Sequence, residues 1–187
     1  MPFWQKRSLC RTVRFMQSVT LLDYQATWPS QFGEVATELA SIFEADPVRI
    51  EHIGSTSVPE LCAKPVLDIM LGVQDLALVM ARTDGLANLG YLYRPEYETE
   101  IPERRYFVRP EGSQLRIHLH AVVRGGAIWL RHLAFREALR SNPELSQEYA
   151  RLKRQLAARY SEDKAAYTEA KSPFIARVLA RASAGSH

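Results

Sequence analysis

A single carboxylate inside an apolar run is the feature that most constrains how this chain can fold. The run, PVLDIMLGV, covers residues 65 to 73, and its short length and β-branched residues are typical of a buried strand. Asp68 is its only charged residue. An ionised carboxylate in a buried strand is costly unless a cation, a metal or hydrogen bonds compensate it. Two interpretations follow: Asp68 belongs to a metal site, or it lies at an exposed strand end and caps a turn.

A turn that suits an anion precedes this strand. Residues 49 to 53, RIEHI, form another strand-like run, which ends at Gly54 and Ser55. Glycine permits a tight turn and a close approach of backbone N–H groups to an anion. Twelve residues separate Ser55 from Asp68. Residues 49 to 73 therefore combine an anion-binding turn with a carboxylate on the next strand.

The segment GSTSVPELCAKPVLDI, residues 54 to 69, resembles the signature of the GrpB family, a branch of the nucleotidyltransferase superfamily. The resemblance covers roughly residues 19 to 179, and it departs from the family pattern at Glu60, where glycine is usual. Further matching positions are Trp28, Pro29, Phe32, Gly90, Tyr91, Arg105, Tyr106, Phe107, His118, Leu119, His120, Trp129, Phe135, Arg136, Leu139, Arg140, Tyr149, Leu152 and Lys153.

The resemblance implies an α/β fold that is nucleotidyltransferase-like, with a small mixed β-sheet, flanking helices and a helical C-terminal region. We expect a single domain over residues 18–187, with a sheet part at 18–123 and a helical part at 124–182. Residues 1–17 carry four basic residues and no acid, and the resemblance begins only after them. We therefore expect residues 1–17 to be a flexible basic N-terminal extension.

Periodicity predicts the individual elements. In chain order they are a short strand at 19–22, a helix from Trp28, a helix at 75–88 with Gly90 after it, a mobile charged loop at 94–104, a hairpin of strands 105–109 and 115–123, and helices from Trp129 with breaks near Pro143 and Ser161. Alternation along the second hairpin strand places Arg116, His118 and His120 on one face.

Nucleotidyl transfer needs a loop that holds a triphosphate, one or two Mg²⁺ ions on carboxylates, and an aligned acceptor. The resemblance implies that an NTP is the substrate and that Mg²⁺ or Mn²⁺ is the cofactor. The residues it implies are Asp68, His118 and His120 for catalysis, Asp68 and His120 for the metal, and Gly54, Ser55, Thr56, Lys64 and Arg105 for the nucleotide.

Met70 departs from the superfamily pattern, which usually has a second carboxylate two residues after the first. A thioether is a poor ligand for the hard Mg²⁺ ion. Imidazole favours Zn, Mn, Fe or Ni over Mg, so His118 and His120 indicate either a different metal or contacts to phosphate.

Three function classes therefore stay open. The first is metal-dependent nucleotidyl transfer from an NTP to a small-molecule acceptor. The second is a non-catalytic nucleotide-binding or accessory module, and domains of this family fused to dephospho-CoA kinase suggest a partner in CoA metabolism. The third is a metal-dependent hydrolase built on the His-x-His pair of His118 and His120. The basic C-terminal part offers weak support for nucleic-acid binding, since no nucleic-acid motif accompanies it.

Composition excludes a membrane protein, because no apolar run approaches the roughly 20 residues that cross a bilayer. The two cysteines, Cys10 and Cys62, are too few for a disulfide framework, and we expect Cys62 to pack in the core. A reducing, cytoplasmic location fits this pattern best. The sequence leaves the oligomeric state open.

Overall fold

The computed structural model describes residues 19–44, 46–110, 112 and 115–184. The predicted basic extension at 1–17, together with Cys10, lies outside these residues. Within the described part, no helix combines the length and the apolar character that a membrane crossing requires.

The described residues form a five-stranded mixed sheet. Its strands are β1 (Arg49–Ile53), β2 (Val66–Val73), β3 (Leu92–Tyr93), β4 (Arg104–Arg109) and β5 (Arg116–Val123). The spatial order is β1-β2-β5-β4-β3, in which β2 and β5 are parallel and the other neighbours are antiparallel. The predicted hairpin is therefore formed by β4 and β5. Leu22 makes one isolated bridge with Ala63, so the strand predicted at 19–22 is wrong.

Helices flank the sheet and make up the C-terminal region, as predicted. They are α1 (Trp28–Ile42), α2 (Leu76–Ala81), α3 (Thr83–Asn88), α4 (Ala127–Ser141), α5 (Pro143–Arg159), α6 (Lys164–Glu169) and α7 (Ser172–Ala184). The single helix predicted at 75–88 is wrong, because the helix breaks at Arg82. The break at Pro143 is confirmed, and the Asn142 side chain caps α5 by accepting a hydrogen bond from the Leu145 N–H at 3.0 Å.

The loop at 94–104 is more structured than predicted. Pro95–Tyr97 forms a short 3₁₀ turn. Glu98 pairs with Arg105 at 3.2 Å and accepts a hydrogen bond from the Tyr93 hydroxyl. At least one of its four glutamates is therefore tied to the sheet and is not simply a solvated charge.

The two faces of the sheet serve different purposes. One face buries the main core under α1, α2 and α3, with Leu39, Ile69 and Leu119 fully buried there. On the other face, Trp129 of α4 covers one end of β2. A Cβ at Gly72 would lie only 2.4 Å from the Trp129 ring, so only glycine permits this contact. The rest of this face carries the polar residues of the candidate site.

The signature loop lies between the sheet and the C-terminal helices. Its apolar residues form a second core with α4, α5 and α7, whose buried members are Val58, Leu61, Cys62, Leu139, Tyr149, Ala150, Phe174 and Val178. Cys62 is buried in this core, as expected from its apolar context. The helical region can therefore place side chains directly against the loop.

Glu60 adopts a left-handed conformation, with φ of 62°, and it is the single non-glycine residue that does so in the described ranges. This conformation costs a residue with a Cβ atom roughly 1–2 kcal/mol, a cost that the glycine implied by the resemblance would not incur. We expect Glu60→Gly to raise the free energy of unfolding by about 1 kcal/mol, after the larger backbone entropy of glycine is subtracted. Urea denaturation measures the change. Glu60→Ala keeps the strain and serves as the control, so an equal gain from alanine would contradict this explanation.

Candidate metal and nucleotide site

Asp68, His118 and His120 come together on the open part of the second sheet face. Asp68 of β2 is directly opposite His118 of β5, and two-residue alternation brings His120 to the same side. Asp68 Oδ1 lies 3.2 Å from His118 Nδ1 and 3.7 Å from His120 Nε2. One ligand atom from each residue falls within 4.8 Å of the others, a spacing at which one metal ion can be held.

The electrostatics of the three residues suit ligation. Burial alone would raise the pKa of Asp68, but the hydrogen bonds of His118 and His120, joined in acid by the attraction of their imidazolium forms, outweigh burial and hold that pKa well below its usual range. Burial lowers the pKa of His120 despite the attraction of Asp68. Asp68 is therefore ionised and His120 neutral near pH 7, which are the forms that bind metals. The Asp68 side chain is 31% exposed, so the site opens to solvent.

Neighbouring side chains orient the two imidazoles differently. The Arg116 Nε–H donates to His118 Nε2 at 3.2 Å, which places the His118 proton on Nδ1, facing Asp68. Arg104 Nη1 lies 3.5 Å from His120 Nδ1, at the limit of a hydrogen bond. Because a guanidinium only donates, this contact leaves the proton of neutral His120 on Nε2, which faces Asp68. Nε2 can therefore ligate a metal on Asp68 once that proton leaves, and His118 orients the carboxylate.

The Gly54–Ser55 turn packs directly on this carboxylate. Gly54 has φ of 70°, and a Cβ there would lie 2.4 Å from Asp68 Oδ2. Both the backbone conformation and the contact therefore require glycine. The chain continues as a 3₁₀ turn at Ser55–Ser57, so the predicted turn is confirmed.

Thr56 and His52 hold the turn from inside the protein. The buried Thr56 hydroxyl donates to the Val66 carbonyl at 3.3 Å and lies 3.0 Å from His52 Nε2. The His52 ring stacks on Phe32 at 4.8 Å, and burial lowers the pKa of His52 to about 4, so the ring is neutral and donates to Thr56. We expected Thr56 to bind the nucleotide, but its hydroxyl is used inside the protein to fix the loop.

Three lysines surround the other side of the turn. Lys153 of α5 is almost fully buried and donates to Ser55 Oγ at 3.0 Å and to the Cys62 carbonyl. Burial lowers the pKa of Lys153 to about 7. Lys64 and Lys171 lie over the Tyr167 ring, at 4.1 and 4.6 Å from its centre, and burial lowers both pKa values, that of Lys64 to about 8.

In the described part of the chain, these lysines have no paired carboxylate. Among the described residues, none of the three amines lies within 4.0 Å of an acidic oxygen, although Lys64 and Lys171 feel the charge of Asp68. Buried charges are normally paired, so an unpaired buried amine beside a Gly-Ser turn indicates a site for an anion.

Arg105 does not reach the site. It lies on the opposite face of β4 and pairs with Glu98, so the structure does not bring Arg105 together with the other residues expected to bind the nucleotide. Two-residue alternation instead places Arg104 and Tyr106 beside the histidines, where the Tyr106 ring lies 5.0 Å from the His120 ring.

Sequence reasoning missed Lys153, Lys171, Arg104 and His132. The His132 ring of α4 lies 6.1 Å from that of His120, although His132 carried no signal in the sequence. Lys153 did carry a signal in the sequence, because it lies four residues after Tyr149 on the apolar side of α5. A charge at such a position needs a compensating partner, as that of Asp68 does. Lys171 depends on the packing of α6 and α7, which periodicity alone does not reveal.

Met70 is fully buried on the same face as Asp68, where it packs with Ile53, Val122 and Trp129. An acid here would be buried among apolar side chains, although His120 lies opposite it on β5. We expect Met70→Asp to lower the free energy of unfolding by about 3 kcal/mol, with no recovery on adding Mn²⁺, because Trp129 closes this part of the face. Urea denaturation with and without MnCl₂ measures both quantities. The exposed Met80→Asp is the control, and recovery by metal would show that position 70 reaches the metal site.

The residues present fit a divalent metal. One carboxylate and two imidazoles are a donor set that suits Mn²⁺, Fe²⁺ or Zn²⁺ better than Mg²⁺. Asp68 and His120 would hold the ion, with His118 positioned to orient or join them.

Comparisons with known proteins identify one family for this chain. The family model described as GrpB protein matches residues 18–181. A UPF0157 protein of Halalkalibacterium halodurans is 38% identical over 167 residues, which are 89% of this chain and 84% of that protein. The crystal structure of GrpB from Enterococcus faecalis has 34% identity and a TM-score of 0.78, over 87% of this chain and 96% of that chain.

Two further similarities are weaker. A dephospho-CoA kinase of Mycolicibacterium paratuberculosis is 25% identical over 186 residues, and the match spans 88% of this chain but 46% of that protein. The Cid1 poly(U) polymerase shares 9% identity at a TM-score of 0.46, over 79% of this chain and 49% of that chain, which is only a weak structural similarity to a nucleotidyltransferase. The family match and the relatives above 30% identity agree, and the chain belongs to the GrpB protein family.

Proposed function

We propose that this GrpB-family protein binds a nucleoside triphosphate together with a divalent metal and transfers its nucleotidyl group to a small acceptor. The observation that carries the proposal is Lys153, a buried amine that contacts Ser55 of the turn next to Asp68 and has no paired carboxylate among the residues that the structure describes. A polyphosphate supplies the missing negative charge, and its oxygens accept the hydrogen bonds that ammonium groups donate.

The chain's own groups divide the work of binding. Gly54 and Ser55 offer backbone N–H groups to the phosphates, as turns of this kind do for anions. Lys153, Lys64 and Lys171 neutralise the charge of the triphosphate. A divalent ion on Asp68 would supply the electrostatic stabilisation of the phosphoryl oxygens that this reaction class needs.

In the proposed reaction, an acceptor hydroxyl forms a bond to the α-phosphorus while the bond to the β-phosphate oxygen breaks and pyrophosphate leaves. His118 carries its proton on Nδ1, toward Asp68, so it can take up the acceptor's proton only on Nε2, once the acceptor hydroxyl replaces the Arg116 Nε–H that donates to this nitrogen. The lysines stabilise the charge that builds up on the departing pyrophosphate.

A nucleotide-binding or accessory module is the second candidate, and two observations favour it. Asp68 has no second carboxylate, since Met70 occupies the usual position and is buried under Trp129. The similarity to part of a protein named dephospho-CoA kinase is consistent with a role in CoA metabolism. A metal-dependent hydrolase built on the histidines is the third, and the unpaired lysines favour it less because hydrolysis of a neutral substrate would not use them.

Calorimetry against ATP, CTP, GTP and UTP, each with Mn²⁺ or Mg²⁺, tests the proposal. We expect saturable binding of at least one NTP that requires the metal and is tighter with Mn²⁺ than with Mg²⁺. Release of pyrophosphate in the presence of candidate acceptors then separates transfer from simple binding. Binding without pyrophosphate supports the accessory module, whereas tight metal binding without any NTP affinity supports the hydrolase and contradicts our proposal.

A further inference from the structure

A cavity lies on the outer side of the edge strand β1, between α1 and α4. Its volume is about 360 Å³, within the range of small-molecule sites. We call it the arginine cavity, and its defining residues are Tyr24, Phe32, Arg49, Glu51, Arg136 and Arg140. None of the residues that form the Asp68 triad or the lysine group lines it. The cavity is therefore a separate site.

Positive charge exceeds negative charge among the lining residues. Glu51 is the single acidic side chain there, and it pairs with both Arg49 and Arg136 at 2.9 Å. Glu137 contacts Arg136 and Arg140 from the solvent side, where its side chain is 56% exposed and the interaction is screened. Burial, followed by repulsion from Arg136, lowers the pKa of Arg140. Two guanidinium groups one helical turn apart thus repel each other inside one cavity.

Arg136 and Arg140 both donate hydrogen bonds to backbone carbonyls, yet each has N–H donors left over. Arg136 Nη1 donates to the His52 carbonyl at 2.8 Å, and Arg140 donates to the Ser57 carbonyl through Nε and Nη2. In the part of the chain that the structure describes, Arg136 Nη2 has no hydrogen-bond acceptor, and Arg140 Nη1 has only Glu137 at 3.5 Å. Free guanidinium edges match the geometry of a carboxylate or a phosphate.

Apart from His52 and Ser57, the remaining walls of the cavity are apolar. The aromatic rings of Tyr24 and Phe32 face it together with Pro29 and Ile50. The Phe32 ring stacks on His52, which fixes its orientation. A flat, apolar group therefore finds a preformed wall beside the arginines.

We infer that the arginine cavity binds a small organic anion, a planar ring that carries a carboxylate or a phosphate. The anionic group lies on Arg136 and Arg140, and the ring packs against Tyr24 and Phe32. The same two arginines hold the carbonyls of His52 and Ser57, at either end of the turn that carries Gly54. The ligand therefore contacts the back of the nucleotide loop. This inference does not rest on the proposed nucleotide site.

Nuclear magnetic resonance on the ¹⁵N-labelled full chain tests the inference with four probes: benzoate, phenyl phosphate, inorganic phosphate and benzyl alcohol. We expect saturable shifts of the Arg136 and Arg140 Nε–H signals with benzoate or phenyl phosphate, and the tighter of the two identifies the anionic group. Benzyl alcohol, which lacks the anion, should not bind. Equal affinity for inorganic phosphate and phenyl phosphate would overturn the role of the ring, and no saturation with either ring anion would overturn the site.

Variants locate the binding. Arg140→Gln should weaken the binding of benzoate or phenyl phosphate, whichever binds more tightly, about tenfold. This is the loss expected for one charge-assisted hydrogen bond. Arg49→Gln should weaken it less and cannot disturb packing, because the Arg49 side chain is 66% exposed. Arg131→Gln, on an exposed position of the same helix, is the matched control. Equal affinities in Arg140→Gln, Arg49→Gln and Arg131→Gln would place the probe elsewhere and overturn the inference.

Discussion

Asp68→Asn should abolish metal-dependent nucleotide binding while the protein stays folded. The amide oxygen of asparagine can still accept the hydrogen bond from His118 Nδ1, so the sheet keeps its register. The neutral amide is a much weaker metal ligand than a carboxylate. Loss of even an outer-shell partner typically costs 10- to 100-fold in metal affinity, so loss of the ligand itself should exceed about a hundredfold.

Calorimetry with an NTP and Mn²⁺ measures the affinity of this variant, and circular dichroism measures its fold. Asp84→Asn, an exposed acid in the first turn of α3, removes the same charge far from the site and is the control. If Asp68→Asn binds the NTP with Mn²⁺ as tightly as the wild-type protein does, the Asp68 carboxylate does not hold the metal.

Lys153→Met should weaken NTP binding by about tenfold or more, since a hydrogen bond to a charged group contributes about 1.5–3 kcal/mol. Methionine keeps the length and apolar stem of the lysine, so the core around Tyr149 stays filled. The exposed Arg151→Met removes a positive charge from the same helix and is the control. Equal affinities in the two variants would show that the buried amine does not contact the nucleotide.

The same variant should change the pH dependence of stability. The pKa of Lys153 is about 7 in the folded protein, below its usual 10.5, so between these values the unfolded chain binds more protons than the native one. The free energy of unfolding therefore rises with pH, by about 2 kcal/mol between pH 7 and 9 for this residue alone. Lys64 adds to the rise in wild type, so the measured quantity is the difference between wild type and Lys153→Met.

Binding of a triphosphate has the opposite pH dependence, because the anion favours the protonated amine. NTP affinity should fall as pH rises from 7 to 9 in the wild-type protein and should fall less in Lys153→Met. Denaturation and calorimetry across this range check both slopes. If the free energy of unfolding of the wild-type protein stayed constant from pH 7 to 9, burial would not lower the pKa of Lys153 as described.

The sequence predicted the elements that periodicity and turn chemistry define. Strand β2, the Gly54 turn and the β4–β5 hairpin follow from alternation and from glycine, and Asp68 stood out because a lone charge in such a strand needs compensation. The convergence of His118 and His120 on Asp68 followed in part from the alternation along β5. The two histidines lie beside Asp68 because of the register between β2 and β5, and this register cannot be predicted from the sequence of either strand alone.

The errors have local physical causes. Arg105 and Arg104 are adjacent, so a one-residue difference in where β4 begins decides which of them faces the site. Thr56 lies in the signature, yet its hydroxyl is consumed by Val66 and His52, contacts that depend on the folded loop. Lys153 and Lys171 reach the site only because the C-terminal helices pack on the signature loop. The charge of Lys153 on the apolar side of α5 is visible in the sequence, but the segment that it contacts is not.

The most direct test of the central claim is a crystal structure with Mn²⁺ and a non-hydrolysable NTP, with the metal located by anomalous diffraction. We predict one manganese peak between Asp68 and His120, with the triphosphate along Gly54 and Ser55 and in contact with Lys153. Manganese bound away from Asp68, or a triphosphate that leaves Lys153 without an anion, would contradict the account.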